Sequence, residues 1–209
     1  MTDTSSITFT DTVDGDELAR AELYGLLSRL WLAPPDAALL QQFNVAVTQA
    51  PEAGGLLEAP WSMMVDALRA TTPEAAAAEH EALFLGVGKP EVFVYGSFYL
   101  AGFLNEKPLA TLRTDLMQLG LTRDAASVET EDHVAYVLEV MRYLIAGDDA
   151  AVCNLEQQRR FFRAHVQTWV GDLCQVVMAH PRADLWRAVA AFTQAFVQVE
   201  VQAFDMLET

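Results

Sequence analysis

Basic residues are scarce in this sequence. Lysine and arginine number 13 against 29 aspartates and glutamates, which gives a formal net charge of −16. Phosphate binding needs clustered positive charge, so this balance argues against nucleic acid as a partner, and against anionic membrane surfaces for the same reason. A field of this sign attracts cationic partners, although an acidic surface also keeps a rather apolar protein soluble. Charge alone leaves both interpretations open.

Long apolar runs are also missing. No uninterrupted stretch approaches the roughly 18 to 20 residues that cross a bilayer, so we expect no membrane span. Residues 1–15 are rich in Thr, Ser and Asp, without the basic start and apolar segment of a secretory signal. We therefore expect a flexible tail over residues 1–14 and a single domain over residues 15–209, whose 52% hydrophobic content suits one large core.

Cysteine is rare as well. Cys153 and Cys174 are the only two. On one continuous helix they would lie about 30 Å apart, because each residue adds about 1.5 Å, and that is too far for a disulfide. Two unpaired thiols fit a reducing compartment, so the cytoplasm is the expected location.

Motifs for metal, nucleophilic and phosphate chemistry are absent. No histidine has a glutamate three residues before it, and there is no HExxH or CxxC. There is no GxSxG, and residues 86–90 (GVGKP) lack the glycine spacing and the Ser or Thr of a phosphate-binding loop. We therefore predict no catalytic residue, no metal and no cofactor.

Apolar residues at spacings of three and four dominate the remaining pattern and predict an all-helical, single-domain bundle of about nine or more helices. The first helix has Asp14 or Asp16 as its cap and ends before Pro34, and residues 86–95 form a loop. Later helices are expected near residues 39–47, 61–70, 72–85, 97 onward, 108–119, 130–146, 154–179 and 183–206.

Two local clusters remain as candidates for function. Residues 95–100 (YGSFYL) place three aromatic side chains and a serine beside the irregular loop, and residues 129–133 (ETEDH) place three carboxylates and a histidine at a helix start. Aromatic core packing accounts for most clusters of the first kind. Acidic residues favour helix N-termini without any functional role, which accounts for the second.

Five short motifs occur in a characteristic order, and together they are more specific than any one of them. They are Glu81-Ala82-Leu83-Phe84, Gly88-Lys89-Pro90, Tyr95-x-Ser97-x-Tyr99, Glu129-x-x-Asp132-His133 and Phe161-Phe162-x-x-His165-x-x-x-Trp169. Over about residues 20–177 the sequence thereby resembles the TorD/DmsD family of redox-enzyme maturation chaperones. The family often has proline after the loop glutamate, where this chain has Thr130.

The resemblance implies an all-helical cytoplasmic chaperone, without enzyme activity, that binds the twin-arginine signal peptide of a molybdenum-cofactor oxidoreductase and delays export until the cofactor is inserted. The implied peptide-binding residues are Tyr95, Ser97, Tyr99, Glu129, Glu131, Asp132, His133, His165 and Trp169. The acids would receive guanidinium groups, and Tyr95, Tyr99 and Trp169 would line an apolar groove. Ser97 would bond near the loop or cap the next helix, and the two histidines are either functional or structural.

Two other functions fit the same residues. A nucleotide-binding module would hold a nucleotide with Mg²⁺ between residues 86–90 and the acids of residues 129–133. A helical adaptor of a respiratory complex would use the same groove for a different helix. Helix exchange between two protomers through residues 120–129 is a further hypothesis about assembly.

Overall fold

The computed structural model describes residues 11–45, 55–86, 88–124 and 127–207. Within these ranges the chain is an all-helical bundle, as predicted, and contains no β-strand beyond one isolated bridge between Tyr95 and His133. The ten described α-helices are α1 (Asp11–Leu32), α2 (Ala37–Val45), α3 (Glu58–Ala70), α4 (Pro73–His80), α5 (Gly96–Ala101), α6 (Lys107–Gln118), α7 (Val134–Ala146), α8 (Leu155–His165), α9 (Val170–Ala179) and α10 (Leu185–Met206). A π-helical turn, Glu81–Leu85, continues α4.

The core forms where α1 packs on α7 and where α10 packs on α9 and α3. Spacings of three and four put one face of each long helix inward, and that burial stabilises the bundle. The largest fully buried side chains are Trp31, Trp186, Tyr24, Phe162 and Phe192. The residues predicted to form the inner face of α10 point inward, since Leu185, Val189, Phe192 and Phe196 are buried and Val199 is half-buried.

Several predicted helix ends are confirmed. The Thr72 hydroxyl accepts the Ala75 N–H at 3.2 Å, with Pro73 at the first helical position. Gly120 follows α6 with a φ of +70°, a conformation that glycine adopts at little cost. The predicted start of the first helix is wrong, because α1 already begins at Asp11 and positions 14 and 16 lie inside the helix.

The helix predicted from residue 130 begins four residues later, at Val134. Residues 130–133 form a turn in which the His133 N–H donates to the Thr130 carbonyl at 3.0 Å. His133 has extended backbone angles and caps α7 with its own side chain. The acidic residues therefore lie in the loop before α7 and outside its first turn.

The single helix predicted over residues 154–179 is wrong, because the chain breaks between α8 and α9. The Trp169 indole Nε1 donates to the His165 carbonyl at 2.7 Å, and thus takes the acceptor that a continuous helix would give to the Trp169 backbone N–H. Cys153 precedes α8 and Cys174 lies in α9, so their separation along one helix does not apply. Both are free thiols in the structure.

Some expectations fall outside the described ranges. Residues 1–10 of the predicted tail, Val47 and most of the segment expected between α2 and α3 belong to this group. Among the described helices, none has the length and apolar character needed to cross a membrane.

Candidate functional site

The isolated bridge between Tyr95 and His133 joins the two predicted clusters into one site. The Gly96 N–H donates to the Asp132 carbonyl at 2.9 Å, and the Tyr95 and His133 rings meet edge to face with centroids 5.3 Å apart. The aromatic segment at the start of α5 and the acidic loop before α7 are thus in direct contact. Neither cluster reveals this contact by itself, because more than thirty residues separate them in sequence.

Asp132 is the buried centre of this junction. Its Oδ2 accepts the Ser97 backbone N–H at 2.8 Å, and its Oδ1 accepts the Thr130 hydroxyl at 2.7 Å. Only 3% of the residue is exposed. The carboxylate therefore caps α5 from a distant part of the chain and holds the acidic loop closed, which leaves it little access to an incoming guanidinium group.

The Ser97 hydroxyl plays neither role expected from the sequence. Its backbone N–H receives the cap from Asp132, whereas its own side chain caps nothing. The Oγ atom is fully buried and has no hydrogen-bond partner among the described residues. It borders a cavity of about 10 Å³ next to Leu112 and Trp169, which is space for about one water molecule.

Glu129 is the partly exposed acid of the loop. The Tyr95 hydroxyl donates to its Oε2, and the Arg123 guanidinium donates to its backbone carbonyl at 3.0 Å. Burial raises the pKa of the Tyr95 hydroxyl, and the hydrogen bond to Glu129 and its negative charge raise it further. Tyr95 therefore stays protonated and fixes one carboxylate oxygen of Glu129 at the surface.

Glu131 is held by an arginine of the same chain. Arg113 donates to its Oε2 from Nη2 at 2.8 Å and from Nε at 3.0 Å. Burial acts to raise the pKa of Glu131, but the hydrogen bond from Arg113 and the positive charges of Arg113 and Arg123 bring it below its usual value. Glu131 is thus ionised and already paired with a guanidinium group.

The geometry of His133 supports a structural role and not a role in peptide contact. Its Nδ1 accepts the Ala135 N–H at 3.1 Å and so caps α7, while its ring packs against Tyr95 and Tyr136. Burial lowers the pKa of His133 to about 4, although nearby carboxylates favour the charged form. A neutral ring is required here because a protonated Nδ1 cannot accept a hydrogen bond.

Trp169 lies in the core, 2% exposed, and does not line an open groove. Tyr99 stacks on it with ring centroids 5.7 Å apart and donates its hydroxyl to the Phe93 carbonyl at 2.8 Å. Gly96 also packs against the Trp169 indole, where an added Cβ atom would lie 3.0 Å from Cε2 of the ring. Trp169 therefore positions α5, and the half-buried Tyr99 is the member of this pair that reaches the surface.

His165 is bound to Asp115 rather than to the acidic loop. Its Nε2 lies 2.7 Å from Asp115 Oδ2, and Arg160 approaches the other carboxylate oxygen at 3.4 Å. Burial lowers the pKa of His165 below its usual value, against the opposing effect of Asp115. This contact ties α8 to α6 behind the site.

An open cleft of about 550 Å³ lies beside the acidic loop, between α6, the segment after it and α7. Its apolar surface comes from Leu116, Leu121, Tyr136, Val140 and Tyr143. The charged side chains that line it are Arg123, Asp124, Glu131, Glu139 and Arg142. The walls of this cleft meet only in the folded chain, so sequence motifs do not reveal it. The one local signal is the helical spacing of Tyr136, Val140 and Tyr143 on α7.

Comparison with known proteins decides the family. A family model described as nitrate reductase delta subunit matches residues 51–175. The TorD chaperone protein of Aliivibrio salmonicida is 26% identical over 200 residues, covering 88% of this chain and 93% of the relative. The TorD chaperone protein of Shewanella loihica is 27% identical over 205 residues, covering 88% and 92%. The chain belongs to the TorD/DmsD family.

The departure from the TorD/DmsD pattern at Thr130 has a structural counterpart. Where the family often has proline, the Thr130 hydroxyl donates to Asp132 and its carbonyl accepts from His133. Two hydrogen bonds thus hold the turn that a proline ring would otherwise restrict.

Proposed function

We propose that this protein is a cytoplasmic chaperone that binds the twin-arginine signal peptide of a molybdenum-cofactor oxidoreductase. Binding assists cofactor insertion and maturation before export. The observation that carries the proposal is membership of the TorD/DmsD family together with an open, partly acidic cleft beside the family's motif residues. Binding and release require no covalent step, so we propose no enzyme activity.

The chemistry of such a leader suits this surface. A twin-arginine leader joins a basic stretch to an apolar one, and its receptor needs carboxylates next to apolar side chains. Glu129, which is partly exposed, and Glu131, which lines the cleft, supply negative charge, while Tyr136, Val140 and Tyr143 supply apolar surface in the same cleft. Asp132, Ser97, His133, His165 and Trp169 are buried and in this proposal position the surface from beneath.

Modest affinity is sufficient for a chaperone that must release its client. Micromolar binding corresponds to about 8 kcal/mol. Burial of apolar area contributes roughly 25 cal/mol per Å² before association costs are subtracted. A leader segment that covers the cleft and pairs with two carboxylates is therefore adequate. Helix exchange through residues 120–129 stays a prediction about assembly.

Copurification tests the proposal. The tagged protein is isolated from its native host, and attached proteins are identified by mass spectrometry. We expect a molybdenum-cofactor oxidoreductase that carries a twin-arginine leader, and we expect its capture to fall when both leader arginines are changed to glutamine. Capture that does not depend on the leader would contradict the proposal.

A further inference from the structure

Two carboxylates that line the cleft are already bound by arginines of the chain itself. Arg113 on α6 holds Glu131 through Nη2 at 2.8 Å and Nε at 3.0 Å. Arg142 on α7 holds Glu139, with its Nε 2.9 Å from each carboxylate oxygen. The cleft thus presents two carboxylates beside an apolar surface, and each is paired with an arginine, Arg142 from the cleft wall and Arg113 from outside it.

Both arginines are accessible to solvent. The side chains of Arg113 and Arg142 are 48% and 43% exposed, whereas that of Glu131 is only 14% exposed. Exposed ion pairs are weak, because water competes with the contact and two long side chains lose freedom. For the pair on Glu131, the arginine is therefore the mobile partner and the carboxylate the fixed one, whereas Glu139 is 45% exposed, about as much as Arg142.

Arg123 also lines the cleft but is bound differently. Arg123 donates to the backbone carbonyls of Ser127 and Glu129, at 3.3 and 3.0 Å. No carboxylate–Arg123 pair is found in the described part of the chain. Its removal changes the local charge by the same amount as removal of Arg113 but releases no carboxylate.

We propose that Arg113 is a placeholder for one arginine of the client leader, whose guanidinium group replaces that of Arg113 on Glu131. The inference rests on the proposed function. It adds that in the free protein Arg113 occupies Glu131 and competes with the leader arginine for it. Exchange of one guanidinium for another leaves no carboxylate unpaired as the leader covers the cleft. It also favours arginine over lysine, since a carboxylate accepts the planar guanidinium fork through two hydrogen bonds.

The test uses the full-length protein and a synthetic peptide with two consecutive arginines followed by about twelve Leu and Ala residues. We call it the Arg-Arg peptide, and its control has glutamines in place of the arginines. Arg113→Gln frees Glu131, so we expect the Arg-Arg peptide to bind about two- to fivefold tighter, the gain that corresponds to one exposed ion pair. Binding of the glutamine peptide should not tighten.

Two controls separate exchange from a change in overall field. Arg123→Gln removes the same positive charge from the cleft without freeing a carboxylate, and its effect measures the field alone. Glu131→Gln removes the fixed partner, so Arg113→Gln added to it should tighten binding no more than Arg123→Gln does. Arg29→Gln, in an exposed pair with Asp36 outside the cleft, controls for loss of an arginine elsewhere.

The outcomes distinguish the two proposals. No binding of the Arg-Arg peptide to the wild-type protein overturns the proposed function and the placeholder with it. Wild-type binding with equal gains from Arg113→Gln and Arg123→Gln, or with no gain from either, overturns the placeholder alone. Should Arg113→Gln lose its helical circular dichroism, the same comparison is made with Arg113→Met, which also frees Glu131.

Discussion

The Ser97 backbone N–H and the Asp132 carboxylate are joined by a buried hydrogen bond of 2.8 Å, which links the start of α5 to the loop before α7. Both sides come from motifs that the sequence analysis assigned to peptide contact. Because both are buried, their hydrogen bond holds the two segments together and so positions the more exposed residues of the site. Loss of this hydrogen bond should therefore lower the stability of the fold, and it should affect peptide binding only as a consequence.

Asp132→Ala should lower the free energy of unfolding by about 2 to 3 kcal/mol. The substitution removes a helix cap and leaves the Ser97 N–H buried without an acceptor. Urea denaturation measures the change, and Glu22→Ala on the exposed side of α1 is the control, with an expected change below about 0.5 kcal/mol. Equal stability of the two variants would refute the structural role of Asp132.

Glu129→Gln combined with Glu131→Gln should weaken binding of the Arg-Arg peptide by more than about 1 kcal/mol, roughly fivefold or more in the dissociation constant. The fold should be retained. The cause is the loss of two carboxylate charges, one at the partly exposed Glu129 and one at Glu131 in the cleft. The matched control is Glu156→Gln with Asp205→Asn, which removes the same charge from exposed positions outside the cleft. Isothermal titration at low and high salt is the measurement, and the difference between the two double variants should shrink as ionic strength rises.

His133 makes stability depend on pH. Its folded pKa of about 4 lies below the unfolded value near 6.5, so the folded state excludes a proton that the unfolded state binds. The resulting stability is present above about pH 6.5 and is lost as pH falls towards 4, about 3 kcal/mol in total.

The pH effect is isolated by comparison with His133→Asn, which keeps a side-chain oxygen for the cap but does not titrate in this range. Unfolding free energies of both proteins are measured between pH 4 and pH 7. The difference in unfolding free energy between the wild-type protein and His133→Asn should decrease steadily as the pH is lowered from 7 to 4. Parallel curves would show that the ring is not held neutral.

A buried polar network joins α1, α8 and α10 away from the cleft. Arg20 donates to both carboxylate oxygens of Glu200 and to Gln158, and the Tyr24 hydroxyl donates to Glu200 at 2.8 Å. Glu200→Ala leaves the largely buried Arg20 guanidinium group with the more exposed Glu17 as its remaining carboxylate partner, and should cost about 3 kcal/mol.

The control for this network is Asp205→Ala on the same helix, whose ion pair is exposed and should cost less than about 1 kcal/mol. The double variant Arg20→Met with Glu200→Leu should recover part of the loss, because it removes both charges together while the buried Tyr24 hydroxyl still lacks its acceptor. Thermal or urea unfolding reports all three. A cost for Glu200→Ala no larger than that for Asp205→Ala would contradict the account.

Sequence patterns predicted the helices well where local rules decide their limits. The cap at Thr72, the glycine after α6 and the inner face of α10 all depend on residues within a few positions of one another. The pattern failed at Trp169, where a side chain takes a backbone acceptor. It failed again at α7, because the turn of residues 130–133 satisfies its own hydrogen bonds before the helix starts.

For the site, motif order identified the relevant loops but not the exposure of their residues. Asp132 reads as a surface carboxylate in sequence and becomes the cap of α5 only when the chain folds. Arg113, Glu139 and Arg142 belong to no motif. Arg113 matters through its ion pair with Glu131, and the other two line a cleft whose walls are remote in sequence. Hydrophobic periodicity reports which face is buried, but it does not report which two exposed faces meet.

The most direct test of the central claim is the affinity of the purified protein for the Arg-Arg peptide compared with its glutamine control. We predict a dissociation constant in the micromolar range or tighter for the arginine form, and binding at least about tenfold weaker for the glutamine form, a difference of about 1.4 kcal/mol. Equal affinity for the two peptides, or no binding of either, would contradict the account.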